Sequence, residues 1–311
     1  MKFINISFFV NKKKVWYGLL LGSLIVVIGP QEKSASREID PGIYVLSKEQ
    51  TEAFKASGEL KDIILEKKSG FQYYMKAAKE GNAIAQYNLG VMYETGYGVA
   101  QNQKKAFKFY KKAAEQGDPK AQFKLGIMYE TGYGVAQNQK KAFEFYKKAA
   151  EQGDPNAQFN LGLMYATGAW VPSDRQKVLE LWTKAAEQGQ EKAQYNLAFM
   201  YETGEGVIQD TQKAFELYTK AANQENAKAQ CNLGIMYEEG VGVDQDTQKA
   251  LELYVKAATN GNSIAQFILG LKYEKGEGVI QDNKRALELF TKAAEQGYSE
   301  AQIHILKISK N

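Results

Sequence analysis

The chain has 311 residues, of which 44% are hydrophobic and 24% charged, and its formal net charge at pH 7 is +4. This weak charge argues against nucleic acid as the main partner, because nucleic-acid-binding domains concentrate basic residues in a dense patch or stripe. A single cysteine, Cys231, excludes an intramolecular disulfide but leaves the redox compartment open, since exported proteins do not require disulfides.

The N-terminal residues have the layout of an export signal. Lys12–Lys14 precede an apolar run, Val15–Ile28, which is followed by Gly29 and Pro30. Positive charge before about 7–15 apolar residues is typical of a secretory signal, whereas a membrane-spanning helix needs about 20. We predict that residues 1–30 form a signal peptide or a membrane anchor attached through residues 15–28. The alternative is a buried helix of a cytosolic domain.

A polar segment, residues 31–61, separates this run from the remainder of the chain. Ser47 and Gln50 have the spacing of a capping box, which opens a short helix, and Gly58 stops it. We therefore predict a linker followed by an N-terminal capping helix at residues 48–57, which covers the exposed end of a helix stack.

A 36-residue repeat fills the rest of the chain. Its clearest sign is an Ala-Gln pair that returns at this interval, with its alanines at Ala85, Ala121, Ala157, Ala193, Ala229, Ala265 and Ala301. A fixed period in this range indicates a stacked array of small helical units. We predict that residues 62–311 form a solenoid with a half repeat, six repeats and a C-terminal capping helix at Ser299–Lys310. The repeats lie near residues 83–118, 119–154, 155–190, 191–226, 227–262 and 263–298.

Each repeat has the pattern of two antiparallel helices joined by a glycine-rich loop. In the second repeat, Asp118 is a helix N-cap and Pro119 takes the first helical position. Apolar residues then recur with a helical period until Gly132, and Asn138 begins the next helix. Gly126 inside the first helix costs about 1 kcal/mol relative to alanine, so its presence requires a compensating gain. We predict that this gain is close approach of the second helix.

The pattern Ala-x-x-Leu-Gly-x-x-Tyr, followed by Gly-x-Gly-Val and Lys-Ala-x-x-x-Tyr-x-Lys-Ala-Ala, resembles the Sel1-like repeat, a relative of the tetratricopeptide repeat. The repeat and this resemblance predict an all-α fold, a right-handed α-solenoid of stacked antiparallel helix pairs. The resemblance further implies an adaptor that binds another protein through the solenoid surface. Many bacterial proteins of this kind are exported and act in envelope assembly, signalling or contact with host cells.

The first helices carry the candidate partner-binding residues, because in the related tetratricopeptide arrangement these helices line the concave face. An aromatic row and an asparagine row are expected to grip an extended or helical peptide, since an asparagine amide both donates and accepts hydrogen bonds. The alternative for the aromatic row is that it packs between the first helices of neighbouring repeats. The alternative for the asparagine row is that its amides bond to the ends of neighbouring helices or to water. The rows contain Tyr87, Phe123, Phe159, Tyr195 and Phe267, and Asn88, Asn160, Asn196 and Asn232.

The third repeat departs from the others in its loop. Where they read Gly-x-Gly-Val, it reads Gly168-Ala-Trp170-Val, and Arg175 follows. Tryptophan and arginine are enriched in binding hot spots, so Trp170 and Arg175 are candidate partner contacts. Trp182 also replaces the usual tyrosine of the second helix. The alternative is drift in a single loop.

No catalytic motif occurs in the sequence. It has one histidine, His304, no His/Cys/Asp cluster at metal-ligand spacing, and no nucleophile or phosphate-loop motif. We therefore predict a protein that is not an enzyme and uses no cofactor. Cysteine-rich exported proteins with this repeat have been linked to β-lactam binding or hydrolysis, but this chain lacks their cysteines.

The sequence thus favours a monomeric, exported solenoid that binds a protein partner on its concave face and binds no nucleic acid. Its location is periplasmic, membrane-anchored or secreted. The first alternative is a peptidoglycan- or carbohydrate-binding protein, or a regulator of a cell-wall enzyme, which uses the aromatic row. The second is a β-lactamase-like hydrolase, for which no residues are identified.

Overall fold

The structure is a computed structural model that describes five short backbone segments between residues 8 and 45 and then residues 70–168 and 170–309. The predicted capping helix at residues 48–57 lies outside the described residues. The chain divides into two compact units, one of Met1–Ala121 and Gly132–Ala136, the other of Gln122–Thr131 and Gln137–Asn311.

Five strands precede the helices: β1 (Phe8–Asn11), β2 (Lys14–Leu21), β3 (Leu24–Ile28), β4 (Glu38–Asp40) and β5 (Ile43–Val45). They form one sheet in the order β1-β2-β3-β5-β4, antiparallel except between β3 and β5. The sequence does not predict this sheet, and the buried-helix alternative for Val15–Ile28 is wrong. The run is rich in valine, isoleucine and aromatic residues, which favour strands, and its length alone does not separate strands from a helix.

Fourteen helices follow in the described part of the chain. They are α1 (residues 70–79), α2 (Ala83–Thr95), α3 (Gln103–Glu115), α4 (Pro119–Thr131), α5 (Gln139–Glu151), α6 (Pro155–Thr167), α7 (Arg175–Glu187), α8 (Glu191–Thr203), α9 (Thr211–Asn223), α10 (Ala227–Glu239), α11 (Thr247–Thr259), α12 (Ser263–Lys275), α13 (Asn283–Glu295) and α14 (Glu300–Ile308). The six repeats run from α2 and α3 to α12 and α13, and each has a first and a second helix. The all-α class holds from residue 70 to residue 309 as described.

Side-chain caps fix the starts of the repeat helices. The Asp118 carboxylate accepts from the Ala121 amide at 2.7 Å, and the Asn138 side chain accepts from the Lys141 amide at 3.0 Å. Gly132 has a φ of 76°, the left-handed conformation in which glycine ends a helix. These contacts confirm the predicted starts of both helices of the second repeat. They also confirm the predicted end of its first helix at Gly132.

Each first helix carries a small residue where a ring of the second helix packs. A Cβ added to Gly126 would lie 2.4 Å from the Tyr146 ring, and the ring itself is 0% exposed. Ala198 holds the equivalent place in the fourth repeat. The predicted close approach is therefore confirmed, and it recurs at Gly90, Gly162, Gly234 and Gly270.

A row of buried glutamines joins consecutive helix pairs within each of the two units. The Gln194 amide nitrogen donates to the Ala186 carbonyl, in the last turn of the preceding second helix, at 3.1 Å. Its amide oxygen accepts from Gln224 at 2.8 Å, so a side chain that is 4% exposed has both polar atoms paired. The row consists of Gln86, Gln122, Gln158, Gln194, Gln230 and Gln266.

Replacing Gly234 by leucine is expected to destabilise the protein by about 1–3 kcal/mol, the usual cost of overpacking. A Cβ at Gly234 would lie 2.8 Å from the buried Tyr254 ring, so the two helices must move apart. Urea unfolding followed by circular dichroism measures the change. Glu239→Leu, at an exposed position of the same helix, is the matched control and should keep the wild-type midpoint. Equal midpoints in the two variants would contradict the close-approach explanation.

Candidate partner-binding site in the third repeat

Four repeats share a hydrogen bond between a tyrosine of the second helix and a glutamate of the first helix. The Tyr146 hydroxyl donates to the Glu130 carboxylate at 2.5 Å, and the Tyr254 hydroxyl donates to Glu238 at 2.6 Å. Burial raises the pKa of Tyr254, and the hydrogen bond to Glu238 raises it further. The other two pairs are Tyr110 with Glu94 and Tyr218 with Glu202.

The sixth repeat keeps the glutamate but replaces the tyrosine by Phe290. Glu274 is bonded instead by the terminal helix α14, through Lys307 Nζ at 2.8 Å and His304 Nδ1 at 2.7 Å. The single histidine therefore lies in a contact between α14 and the last repeat, against the rings of Phe267 and Phe290.

Both members of the pair are absent from the third repeat. Ala166 stands 36 residues from Glu130 and from Glu202, and Trp182 stands in place of the tyrosine. The Trp182 indole nitrogen donates to the Phe159 carbonyl at 3.1 Å, so this larger ring still packs in the tyrosine position with its polar atom paired. The two changes match, because neither a carboxylate nor a hydroxyl is left without its partner.

A cavity of about 390 Å³ opens in the third and fourth repeats where the pair is missing. We call it the third-repeat cavity. Apolar side chains form much of its lining, and polar side chains stand among them. It is lined by Ala166, Ser173, Arg175, Val178, Trp182, Tyr195, Asn196, Phe199, Met200 and Glu205.

Asn196 differs from Asn232 in the asparagine row. The Asn232 amide donates to the Tyr218 hydroxyl at 2.8 Å. The residue that corresponds to this tyrosine for Asn196 is Trp182, which has no hydroxyl. Within the described residues, the half-buried Asn196 side chain makes no hydrogen bond, so its amide is available to an occupant of the cavity.

An exposed ion pair stands among the lining residues. Arg175 Nη2 lies 3.2 Å from a Glu205 carboxylate oxygen, and the two side chains are 65% and 57% exposed. An exposed pair of this kind contributes about 0–1 kcal/mol, so either side chain can turn to a binding partner at small cost.

The comparisons with known proteins agree with the architecture of repeated helix pairs. The Sel1 repeat profile matches residues 61–82, 83–118, 119–154, 155–190, 191–226, 227–262 and 263–298. The chain belongs to the Sel1 repeat family. Sel1 repeat proteins are generally scaffolds for protein–protein interaction. No curated protein sequence gives a significant match to this chain.

Two solved Sel1 structures are similar to this chain. One is a protective antigen from uropathogenic Escherichia coli strains, described as displaying an SLR fold, with 35% identity and a TM-score of 0.67 over 84% of this chain. The match spans only 59% of that protein's length. The other, a Sel1 repeat protein from Oxalobacter formigenes, has 31% identity and a TM-score of 0.67, and the match covers 78% of this chain and 94% of that one. The predicted α-solenoid of helix pairs is thereby confirmed.

The cavity brings together three of the residues that the sequence singled out in this Sel1 protein: Arg175, Tyr195 and Asn196. Trp170 is 42% exposed and is not among the lining residues, and Asn88 is half-buried in the first repeat. The aromatic row packs against second-helix rings within each repeat, with centroids 5.6–6.0 Å apart. These pairs are Tyr87–Tyr110, Phe123–Tyr146, Phe159–Trp182, Tyr195–Tyr218 and Phe267–Phe290.

Ala166 is the most informative of the lining residues that sequence reasoning did not single out. Its signal was present, since an alignment of the repeats at 36-residue intervals places alanine against glutamate. An alanine draws no attention by itself, and only the contact between tyrosine and glutamate in the folded repeats gives the change a meaning.

Among the described residues, no group of three or more His, Cys, Asp or Glu side chains could hold a metal ion. None of the described helices has the length and apolar character that a membrane span requires.

As the pH rises, the free energy of unfolding of Tyr254→Phe is expected to fall less than that of the wild type. Because the pKa of Tyr254 is raised in the folded protein, the unfolded chain releases this proton first. The contribution of the hydroxyl is therefore complete below about pH 10 and is lost as the pH rises through the folded-state pKa. Urea midpoints at about pH 8 and about pH 11 measure the difference.

Tyr133→Phe is the matched control, because the Tyr133 ring is 55% exposed. Its midpoint should fall as much as that of the wild type. If Tyr254→Phe fell by the same amount as this control, the hydroxyl pair would have no special role in alkaline stability.

Proposed function

We propose that this protein is a non-enzymatic scaffold that binds a protein partner through the third-repeat cavity and acts outside the cytoplasm. The carrying observation is that a cavity lies beside Ala166 and Trp182, where four other repeats have a hydrogen-bonded glutamate–tyrosine pair. The corresponding residues of the sixth repeat also line a cavity, of about 270 Å³, but there Glu274 is bonded by Lys307 and His304. Repeated residues serve the packing of a solenoid, so the repeat that loses both members of the pair is the natural place for partner recognition.

The surroundings of the cavity have the composition of a binding hot spot. Phe199 is 43% exposed beside the half-buried Tyr195, and Arg175 supplies a mobile charge. Aromatic and arginine side chains dominate the energetics of protein interfaces, because they combine a large apolar area with polar atoms at their tips. Trp170, also exposed, lies in the loop five residues before Arg175, which begins α7.

A carbohydrate-binding ladder is less well supported by the same contacts. Sugar recognition along the solenoid needs free aromatic faces at several repeats. The rings of the aromatic row pack against second-helix rings instead, and Phe159 is only 8% exposed. The third-repeat cavity combines aromatic side chains with an amide that makes no hydrogen bond within the described residues, which favours one local partner contact over a ladder.

Two observations support action outside the cytoplasm. Lys12–Lys14 and the apolar run Val15–Ile28 have the charge order of an export signal. The similar Escherichia coli protein is described as a protective antigen.

Photo-crosslinking in cells tests the partner site. A photoreactive amino acid in place of Phe199 should form an adduct with one other protein, and the adduct should be lost with Tyr195→Ala. Val255, on the second helix of the fifth repeat, is the matched control, since the two side chains are 43% and 42% exposed. Equal adducts from both positions, or none from position 199, would refute binding at this site.

Cell fractionation tests the location. The untagged protein should be found in the membrane or exported fraction. Replacing Lys12, Lys13 and Lys14 by glutamate should retain it in the cytoplasm, because the signal needs positive charge before its apolar run. A wild-type protein that is wholly cytoplasmic, with an unprocessed N-terminus, would contradict export while leaving the scaffold role intact.

A further inference from the structure

We propose that the third-repeat cavity receives an aromatic or aliphatic side chain from an extended peptide segment of the partner, whose backbone bonds to Asn196. This inference rests on the proposed function and specifies its chemistry. The partner side chain that enters the cavity, which we call the anchor, is apolar and not acidic.

Four other repeats show what stands at this place when the pair is present. There a glutamate carboxylate accepts from a buried tyrosine hydroxyl, as Glu202 does from Tyr218. An acidic side chain that entered the third-repeat cavity would find no such hydroxyl, because Trp182 has replaced the tyrosine and its indole nitrogen already donates to the Phe159 carbonyl. The buried side chains of the lining, Val178, Trp182 and Met200, therefore offer a carboxylate no free donor, and Arg175 is exposed and paired with Glu205. A carboxylate buried against these side chains is strongly disfavoured.

The same replacements suit an apolar occupant. Trp182, Val178 and Met200 are 7%, 3% and 6% exposed, and they line the cavity together with the methyl group of Ala166. An entering apolar side chain therefore meets carbon and sulfur atoms and displaces no buried ion pair. Removal of this surface from water drives the association.

The size of the cavity matches one anchor residue. Its volume of about 390 Å³ lies at the lower end of the usual range for small-ligand pockets, about 300–1,000 Å³. This space accommodates one large side chain with its adjacent backbone. The remainder of the partner would lie over Phe199 and the Arg175–Glu205 pair.

Asn196 supplies the polar contact that such a segment needs. Its amide carries both donors and an acceptor, so it can bond to an N–H and a C=O of an extended backbone. The Asn232 amide donates to the Tyr218 hydroxyl, whereas Asn196 makes no hydrogen bond within the described residues. The third-repeat cavity thus offers an apolar space and an available amide at the same place.

The direct test uses purified full-length protein with isotopically labelled methionine methyl groups and N-acetyl-phenylalanine methylamide as the probe. Met200 lines the cavity, and Met236, 36 residues later in the fifth repeat, stands in the same relation to Glu202 and Tyr218 of the fourth repeat. The Met200 methyl resonance should shift with probe concentration while the Met236 resonance stays. N-acetyl-glutamate methylamide should bind more weakly, on the order of tenfold.

Ala166→Glu/Trp182→Tyr restores the closed arrangement and should abolish the Met200 shift without loss of helical signal. The reciprocal variant, Glu202→Ala/Tyr218→Trp, should open a second cavity and produce a new shift at Met236. Asn196→Ala, which leaves the cavity open, should weaken the Met200 response to the phenylalanine probe.

Three results would overturn the inference: no Met200 shift in the wild type, a shift that persists in Ala166→Glu/Trp182→Tyr, or a stronger response to the glutamate probe. The last would indicate an acidic anchor. If these results came with a specific crosslink from position 199, the partner site would stand and only the apolar anchor would be wrong. If the crosslink were absent too, the proposed function would fail with it.

Discussion

The repeats depend on one contact, the packing of a buried second-helix ring against a residue with little or no side chain in the first helix. Gly126 accepts the Tyr146 ring so closely that a Cβ would lie 2.4 Å from it. This approach fixes the distance between the two helices. It also carries the tyrosine hydroxyl to the end of the first helix, where a glutamate receives it. The ring of one tyrosine therefore makes the packing contact, and its hydroxyl makes the polar pair.

The third repeat keeps the packing of a large ring against a glycine and loses the polar pair. Gly162 still receives a large ring, now that of Trp182, so the helices stay together. Both polar groups are absent, because Trp182 lacks the hydroxyl and Ala166 lacks the carboxylate. A cavity can therefore open without an unpaired buried charge, and the array can gain a site at one repeat while the neighbouring repeats keep their packing.

Rows of identical residues have different roles along the chain, and the sequence could not tell them apart. Helical periodicity places the asparagine row and the glutamine row on the first helices, but a residue's bonding depends on what the preceding helix presents to it. Gln194 finds the Ala186 carbonyl and becomes part of the packing between repeats. Asn232 finds the Tyr218 hydroxyl, whereas Asn196 faces an indole and stays available. The aromatic row was predictable as a row, but not its packing within each repeat.

The sequence by itself determined the repeat length, the helix pairs, their caps and glycine stops, and the need for close approach at Gly126, because these follow from contacts a few residues apart and from a strict period. It did not determine that the apolar run at Val15–Ile28 pairs as strands, since an apolar run has no preference strong enough to decide. Only the tertiary structure decided the site. Ala166, Trp182 and Asn196 lie on three different helices, and their meeting depends on the packing of one repeat on the next.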